Sequence, residues 1–252
     1  MEGEKIQLRG LNVFFQTAGS GPAVLVLHGW GGSSASWEKT MESLASRGFH
    51  AVCLDLPGFG KTETPKEAWS LDDYAGFVRE FSEKLSLKDY FLVGHSFGGR
   101  ISIKLSLIDK ERIKKIVLCG SAGLKMEKGL KGELVAKAVS LAKKVPFSKN
   151  VFKKPLYFFL RNKDYVKAGE IMKKVMASAI SEDLEPLLPL ISHKTLLIWG
   201  EKDKLVPLKY ARIFKEKIRN SELQVVKGAG HSLNLEKPSI LAEKISLFLK
   251  ND

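Results

Sequence analysis

The chain has 252 residues, 44% of them hydrophobic and 27% charged, which describes a globular protein with a sizeable core and excludes a disordered or low-complexity chain. Lys and Arg number 41 against 28 Asp and Glu, a formal charge of +13. The lysines are dispersed along the chain and no nucleic-acid module is present, so the charge reads as solvated helix surface and no nucleic-acid partner is expected.

Met1 is followed by Glu-Gly-Glu-Lys, not by the basic start and apolar run of a secretory leader. No stretch reaches the roughly 18 apolar residues of a membrane span. Cys53 and Cys119 lie in the apolar runs Ala51–Leu54 and Ile116–Cys119, which suits two buried free thiols and a cytoplasmic setting.

In chain order, Ile6–Phe15, broken near Gly10, reads as an antiparallel pair of strands. Ala23–Leu27, His50–Leu54, Tyr90–Val93, Ile113–Cys119, Thr195–Trp199 and Leu223–Val226 are short continuous apolar runs, the pattern of strands buried on both faces. Helical periodicity falls between them, near Ser36–Ser46, Leu71–Ser86, Phe97–Ile108, Leu208–Ile218 and Ser239–Leu249. This alternation predicts a mostly parallel sheet of about eight strands flanked by helices. Leu124–Glu185 breaks the rhythm: it is Lys-rich, punctuated by Pro146 and Pro155, and carries no strand pattern. Some 60 residues is too long for an ordinary connection, so residues 124–185 are expected to form a helical cap after the sixth strand. Residues 1–123 and 186–252 would form the α/β core.

Gly94-His-Ser-Phe-Gly98 stands between a strand pattern and a helix pattern. Gly-x-Ser-x-Gly is a weak signal by itself. Between a strand and a helix it places the serine on a sharp turn, with its hydroxyl above the sheet at a helix N-terminus. The plainer alternative is a Gly-rich turn with an incidental serine.

The other landmarks argue against that alternative. His28-Gly-Trp-Gly-Gly32 follows one strand, and Asp55-Leu-Pro-Gly-Phe-Gly60 follows the next. Trp199-Gly-Glu-Lys-Asp203 and Gly228-Ala-Gly-His231 come near the end. This ordered set resembles the α/β-hydrolase superfamily, in its serine-nucleophile branch with a helical cap, across the whole chain except the cap. Within that branch the chain resembles carboxylesterases and the hydrolases that cleave carbon–carbon bonds in ring-fission products.

A serine hydroxyl needs a base to take its proton, and the base needs a carboxylate to hold its tautomer. The resemblance gives the order Ser96, Asp203, His231. His231 lies among small residues after the last strand, and Asp203 lies just after the strand Thr195–Trp199. Glu201 is the near competitor as acid, and the Cys119–Gly123 stretch, where some relatives carry it, holds no carboxylate. His95 is expected to point to the far side of the elbow, His50 starts a strand, and His193 lies outside any motif. Backbone N–H groups of Trp30 and Phe97 are the candidate oxyanion donors. His28 and Gly29 would support the Trp30 loop, and Asp55 its own turn.

Ser96, where relatives that open epoxides or cleave carbon–halogen bonds carry Asp, implies acyl chemistry. Small carboxylic esters are the leading reading, and a small-molecule acyl compound the expected partner. Carbon–carbon hydrolysis stays open, although His231-Ser-Leu-Asn-Leu-Glu236 lacks the Trp typical of those enzymes soon after the base. Perhydrolase or acyltransferase chemistry would use the same triad. A ligand receptor on the same fold, and a nucleic-acid or membrane-surface binder using the basic cap, are the non-enzyme alternatives. Phe59, Tyr157 and Phe158 are candidate pocket residues, the cap aromatics having core packing as their plainer role. The triad calls for no cofactor or metal, and a monomer or homodimer is expected.

Overall fold

The computed structural model describes residues 1–125 and 169–251. Eight strands form one sheet: β1 (Glu2–Leu8), β2 (Leu11–Ala18), β3 (Ala23–Leu27), β4 (His50–Leu54), β5 (Tyr90–His95), β6 (Ile113–Cys119), β7 (Lys194–Gly200) and β8 (Ser221–Val226). Their order is β1-β2-β4-β3-β5-β6-β7-β8. β1 pairs antiparallel with β2 and β2 antiparallel with β4, and every later pairing is parallel. This is the expected mostly parallel α/β sheet.

The two faces are built by alternation along the central strands. Leu25 and Leu27, Val52 and Leu54, Leu92, Ile116 and Leu118, and Leu197 and Trp199 face one cluster. Val24 and Val26, Ala51 and Cys53, Val93, Val117 and Cys119, and Leu196 and Ile198 face the other. The first face is covered by α2 (Leu71–Lys84), α3 (Phe97–Ile108) and α5 (Leu208–Lys217). α1 (Glu38–Ala45), preceded by a 3-10 turn at Ser34–Trp37, covers the second face together with α6 (Pro238–Lys250). Cys53 and Cys119 are free and buried. Among the described residues no helix is long and apolar enough to cross a membrane.

β1 begins four residues earlier than the apolar pattern suggested, because most of its residues are exposed and carry no periodic signal. Pairing with β2 from Glu2↔Thr17 to Leu8↔Leu11 defines it instead. α2 starts where the chain announces it, at a capping box: Ser70 Oγ accepts the Asp73 N–H and the Asp73 carboxylate accepts the Ser70 N–H.

Most of the interval 124–185, with Tyr157 and Phe158, lies outside the described residues. At its end stands α4 (Glu170–Ser181), whose Met172, Val175 and Ala179 are buried against the core. Met172 seats on Gly58, in the loop that leaves the C-terminal end of β4. The two ends of the interval meet: Leu184 N–H donates to Gly123 O at 2.8 Å, and Lys125 N–H to Asp183 Oδ1 at 3.3 Å. From α3, Arg100 donates to Glu182 O at 2.9 Å, and Lys104 pairs with Glu182 and with Asp72 of α2.

Tyr74 ties α2 to this end of the sheet: its buried hydroxyl donates to Pro57 O at 2.9 Å, and its ring meets Phe97 edge-on at 5.4 Å. Tyr74→Phe should therefore destabilise the protein by about 1–2 kcal/mol, because it leaves the Pro57 carbonyl buried without a donor. A fall in thermal midpoint of about 2–8 °C would record it, and an unchanged midpoint would show that water replaces the phenol at no cost.

Candidate active site

Because β3 to β8 run parallel, their C-terminal ends lie along one edge of the sheet, where such folds place their ligands. The chain segments that leave that edge carry every candidate residue that the structure describes.

Ser96 lies between β5 and α3 with φ +52° and ψ −108°, one of three non-glycine residues at positive φ among the described residues. A side-chain-bearing residue holds such a conformation only where its surroundings enforce it. Here Ser96 N–H donates to Cys119 O at 3.2 Å, and Ser96 O accepts the N–H groups of Gly99, Arg100 and Ala122 at 3.1–3.3 Å. α3 then crosses the end of β3 so closely that a Cβ on Gly98 would overlap the Leu27 carbonyl. The glycine after the serine is thus a packing requirement.

The loop after β3 is held from behind. Leu56 N–H donates to His28 Nε2 at 3.0 Å, so that nitrogen is unprotonated, and Nδ1–H donates to Gly29 O at 2.8 Å. Burial pushes the His28 pKa down, which keeps this neutral tautomer. Asp55 accepts Ser34 N–H at 2.6 Å and Lys61 N–H at 2.8 Å, locking the β3 and β4 loops together. Trp30, at the tip, meets Phe59 at 4.8 Å and Phe97 at 5.2 Å, ring edge to ring face. Phe59 is 8% exposed and also contacts the His28 ring. The structure therefore brings Trp30, Phe59 and Phe97 into one aromatic cluster beside Ser96.

Asp203 and His231 are brought together. Asp203 Oδ2 lies 2.8 Å from His231 Nδ1, and the Asp203 side chain is fully shielded from solvent. Its other oxygen accepts Leu205 N–H at 2.9 Å and Val206 N–H at 2.8 Å, which fixes the carboxylate plane. A carboxylate on Nδ1 places the ring proton there and leaves Nε2 as the basic nitrogen. Gly120, at φ +48°, lies under the pair: a Cβ there would sit 3.3 Å from Asp203 Oδ2 and 3.4 Å from His231 Nδ1. Glu201, the competing acid, instead accepts Gly228 N–H at 2.9 Å.

His95 does not simply point away from the base. Its Nε2 lies 3.0 Å from His231 O, and the two rings are 4.9 Å apart. Glu236 was also unforeseen: its oxygens accept Gly230 N–H at 2.6 Å and Ser232 N–H at 3.2 Å. Gly120 gave no motif signal either, and only the crossing of β6 with the β7 and β8 loops reveals its role. Among the described residues no group of three or more His, Cys, Asp or Glu side chains could hold a metal ion.

The sequence profile of the alpha/beta hydrolase fold matches residues 22–147 and 137–238, and the chain belongs to that family. It is 28% identical over 247 residues to a 2-hydroxy-6-oxononadienedioate/2-hydroxy-6-oxononatrienedioate hydrolase of Pseudomonas putida, covering 88% of this chain and 86% of that one. Among solved structures it is similar to a bromoperoxidase from Bacillus anthracis, with TM-score 0.77, 26% identity, and 99% and 100% of the two chains covered. A thermophilic esterase from Thermogutta terrifontis shares the fold, with TM-score 0.75 and 22% identity over 99% and 98% of the two chains.

The pH dependence of stability follows from His95. Burial first, and the neighbouring His231 second, push its pKa from 6.5 down to about 3. The unfolded chain therefore binds a proton at this site that the folded chain refuses, so stability is complete above the ordinary histidine value and lost as pH falls through that window. The denaturant midpoint should drop as pH falls from 6.5 toward about 3, and drop less in His95→Gln. Equal drops in both proteins would place the acid sensitivity elsewhere.

Proposed function

We propose that the protein is a serine hydrolase that cleaves small carboxylic esters through an acyl-enzyme on Ser96. The observation that carries this reading is the solvent-shielded Asp203–His231 pair at the sheet edge that also bears the strained Ser96 elbow. His231 Nε2 takes the Ser96 proton, Ser96 Oγ attacks the acyl carbon, and the alcohol leaves with the proton that His231 returns. Water then attacks the acyl-enzyme by the same route. The N–H groups of Trp30 and Phe97 receive the developing oxyanion, with the His28–Gly29 loop holding Trp30 in place. On this reading residues 124–185 are the cap, and Phe59 lines the acyl pocket from the core side. The remainder of the chain, 1–123 and 186–252, is the catalytic core.

A second reading, hydrolysis of a carbon–carbon bond next to a carbonyl, draws support from the likeness to the Pseudomonas putida hydrolase. It uses the same three residues. Turnover of a panel of p-nitrophenyl esters beside a ring-fission product separates the two. Esters turning over at least roughly 100-fold faster in kcat/KM supports the first reading, and the reverse order supports the second.

Ser96→Ala and His231→Ala should each lower kcat by roughly 10⁴-fold or more with the fold intact, and Asp203→Asn by a similar or somewhat smaller factor. Near-normal turnover in Asp203→Asn, together with loss in Glu201→Gln, would move the acid to Glu201. An organophosphate should attach once per chain, on Ser96, since the proposed mechanism gives that hydroxyl a base and oxyanion donors. Peptide mass mapping reads the site, and adducts elsewhere with ester turnover surviving full Ser96 modification would end the serine reading.

A further inference from the structure

We propose that His95 and Glu236 are positioning residues of the base: they hold the backbone on the two sides of His231 and so set where its imidazole stands relative to Ser96. The proposal rests on the serine-hydrolase reading above.

His231 lies in a loop, 227–232, that has no helix or ladder to fix it. One hydrogen bond from the ring Nδ1–H to Asp203 fixes the tautomer but leaves the ring free to pivot about that contact. Proton transfer to Nε2 requires the ring to stand within a few tenths of an ångström of its productive place. Backbone hydrogen bonds tie Ala229 to Val226 and Lys202, and Ser232 O to Leu235 and Glu236, and around His231 itself side chains supply the further anchors. Glu236, from the short helical turn Leu233–Glu236, spreads its two oxygens over the N–H groups of Gly230 and Ser232, the residues on either side of the base. His95 takes the His231 carbonyl, at 3.0 Å. A carbonyl can only accept, so His95 Nε2 carries the proton and donates it.

His95 is built to hold that tautomer. It is 7% exposed, with Trp37 against its ring at 6.3 Å. The loop after β3 closes its other side: a Cβ on Gly29 would lie 2.7 Å from His95 Nδ1. Its low pKa, about 3, keeps it neutral beside His231, so no second positive charge opposes the imidazolium that forms in turnover. The residue also immediately precedes Ser96. One short segment thus carries the nucleophile on one residue and the support for the base on the residue before it. Any shift of the elbow moves both partners together.

The test measures kcat and KM for p-nitrophenyl acetate, the rate of Ser96 labelling by an organophosphate, and the thermal midpoint. The proteins are the parent chain, His95→Leu, His95→Gln, Glu236→Gln and the Ser96→Ala control. His95→Leu keeps the bulk without the donor and should lower kcat by roughly 10- to 100-fold, with KM within about twofold. His95→Gln restores an N–H near the Nε2 position and should recover kcat to within about fivefold of the parent. Glu236 is exposed, so Glu236→Gln tests the same idea without disturbing the core, and it should lower kcat roughly 10-fold at an unchanged thermal midpoint. Labelling of Ser96 should slow in step with kcat.

Parent-like kcat in both His95→Leu and Glu236→Gln would overturn the proposal while Ser96→Ala still abolishes turnover. Equal losses in His95→Leu and His95→Gln would show that the ring's shape, not its donated hydrogen bond, is what matters, and would overturn the His95 half. If His95→Leu fails to fold, Glu236→Gln decides. Full turnover in Ser96→Ala would remove the serine reading and this proposal with it.

Discussion

The site hangs on the strained turn at Ser96. A non-glycine residue at φ +52° costs on the order of 1–3 kcal/mol, and the fold holds it there with four backbone hydrogen bonds from its own N–H and carbonyl. Two of them tie it to the segment leaving β6, through Cys119 O and Ala122 N–H. That connection joins the elbow to the stretch containing Gly120, which lies under the Asp203–His231 pair. The turn therefore does more than present a hydroxyl. It couples the end of β5 to the end of β6, and through β6 to the segments that carry Asp203 and His231.

Polar groups at this edge are held in pairs of contacts. Asp203 uses one oxygen on its own turn and one on His231. Asp55 uses one on the β3 loop and one on the β4 loop. His28 donates from one ring nitrogen and accepts at the other. In each case the second contact removes a rotation that the first would leave free. Groups held this way need little reorganisation when charge develops, which is the basis of electrostatic stabilisation in a partly buried site.

Family membership and site geometry bear on different questions. The family profile and the shared fold place the chain among α/β hydrolases, a group that also includes a 2-hydroxy-6-oxononadienedioate/2-hydroxy-6-oxononatrienedioate hydrolase, a bromoperoxidase and an esterase. The Asp203–His231 contact and the Ser96 backbone are what the proposed serine chemistry is argued from. The aromatic cluster of Trp30, Phe59 and Phe97 is the apolar surface that the structure places next to the Ser96 turn.

Alternation of apolar runs with helical periodicity determined the α/β architecture from the residues alone, since burial on both faces of a parallel strand leaves a continuous apolar signature in Ala23–Leu27 and His50–Leu54. The turn at Ser96 and the small residues around His231 were visible as motifs because each motif is formed by residues adjacent in the chain, whereas the approach of Asp203 to His231 joins positions 28 residues apart. β1 was under-read because an exposed edge strand buries no periodic face. The strand order, with β4 between β2 and β3, was decided by tertiary pairing. So was the contact of His95 with His231, which joins residues 136 positions apart. The clamp of Glu236 on Gly230 and Ser232 was likewise invisible, because backbone N–H groups carry no mark in the sequence and only the folded loop shows which of them need an acceptor.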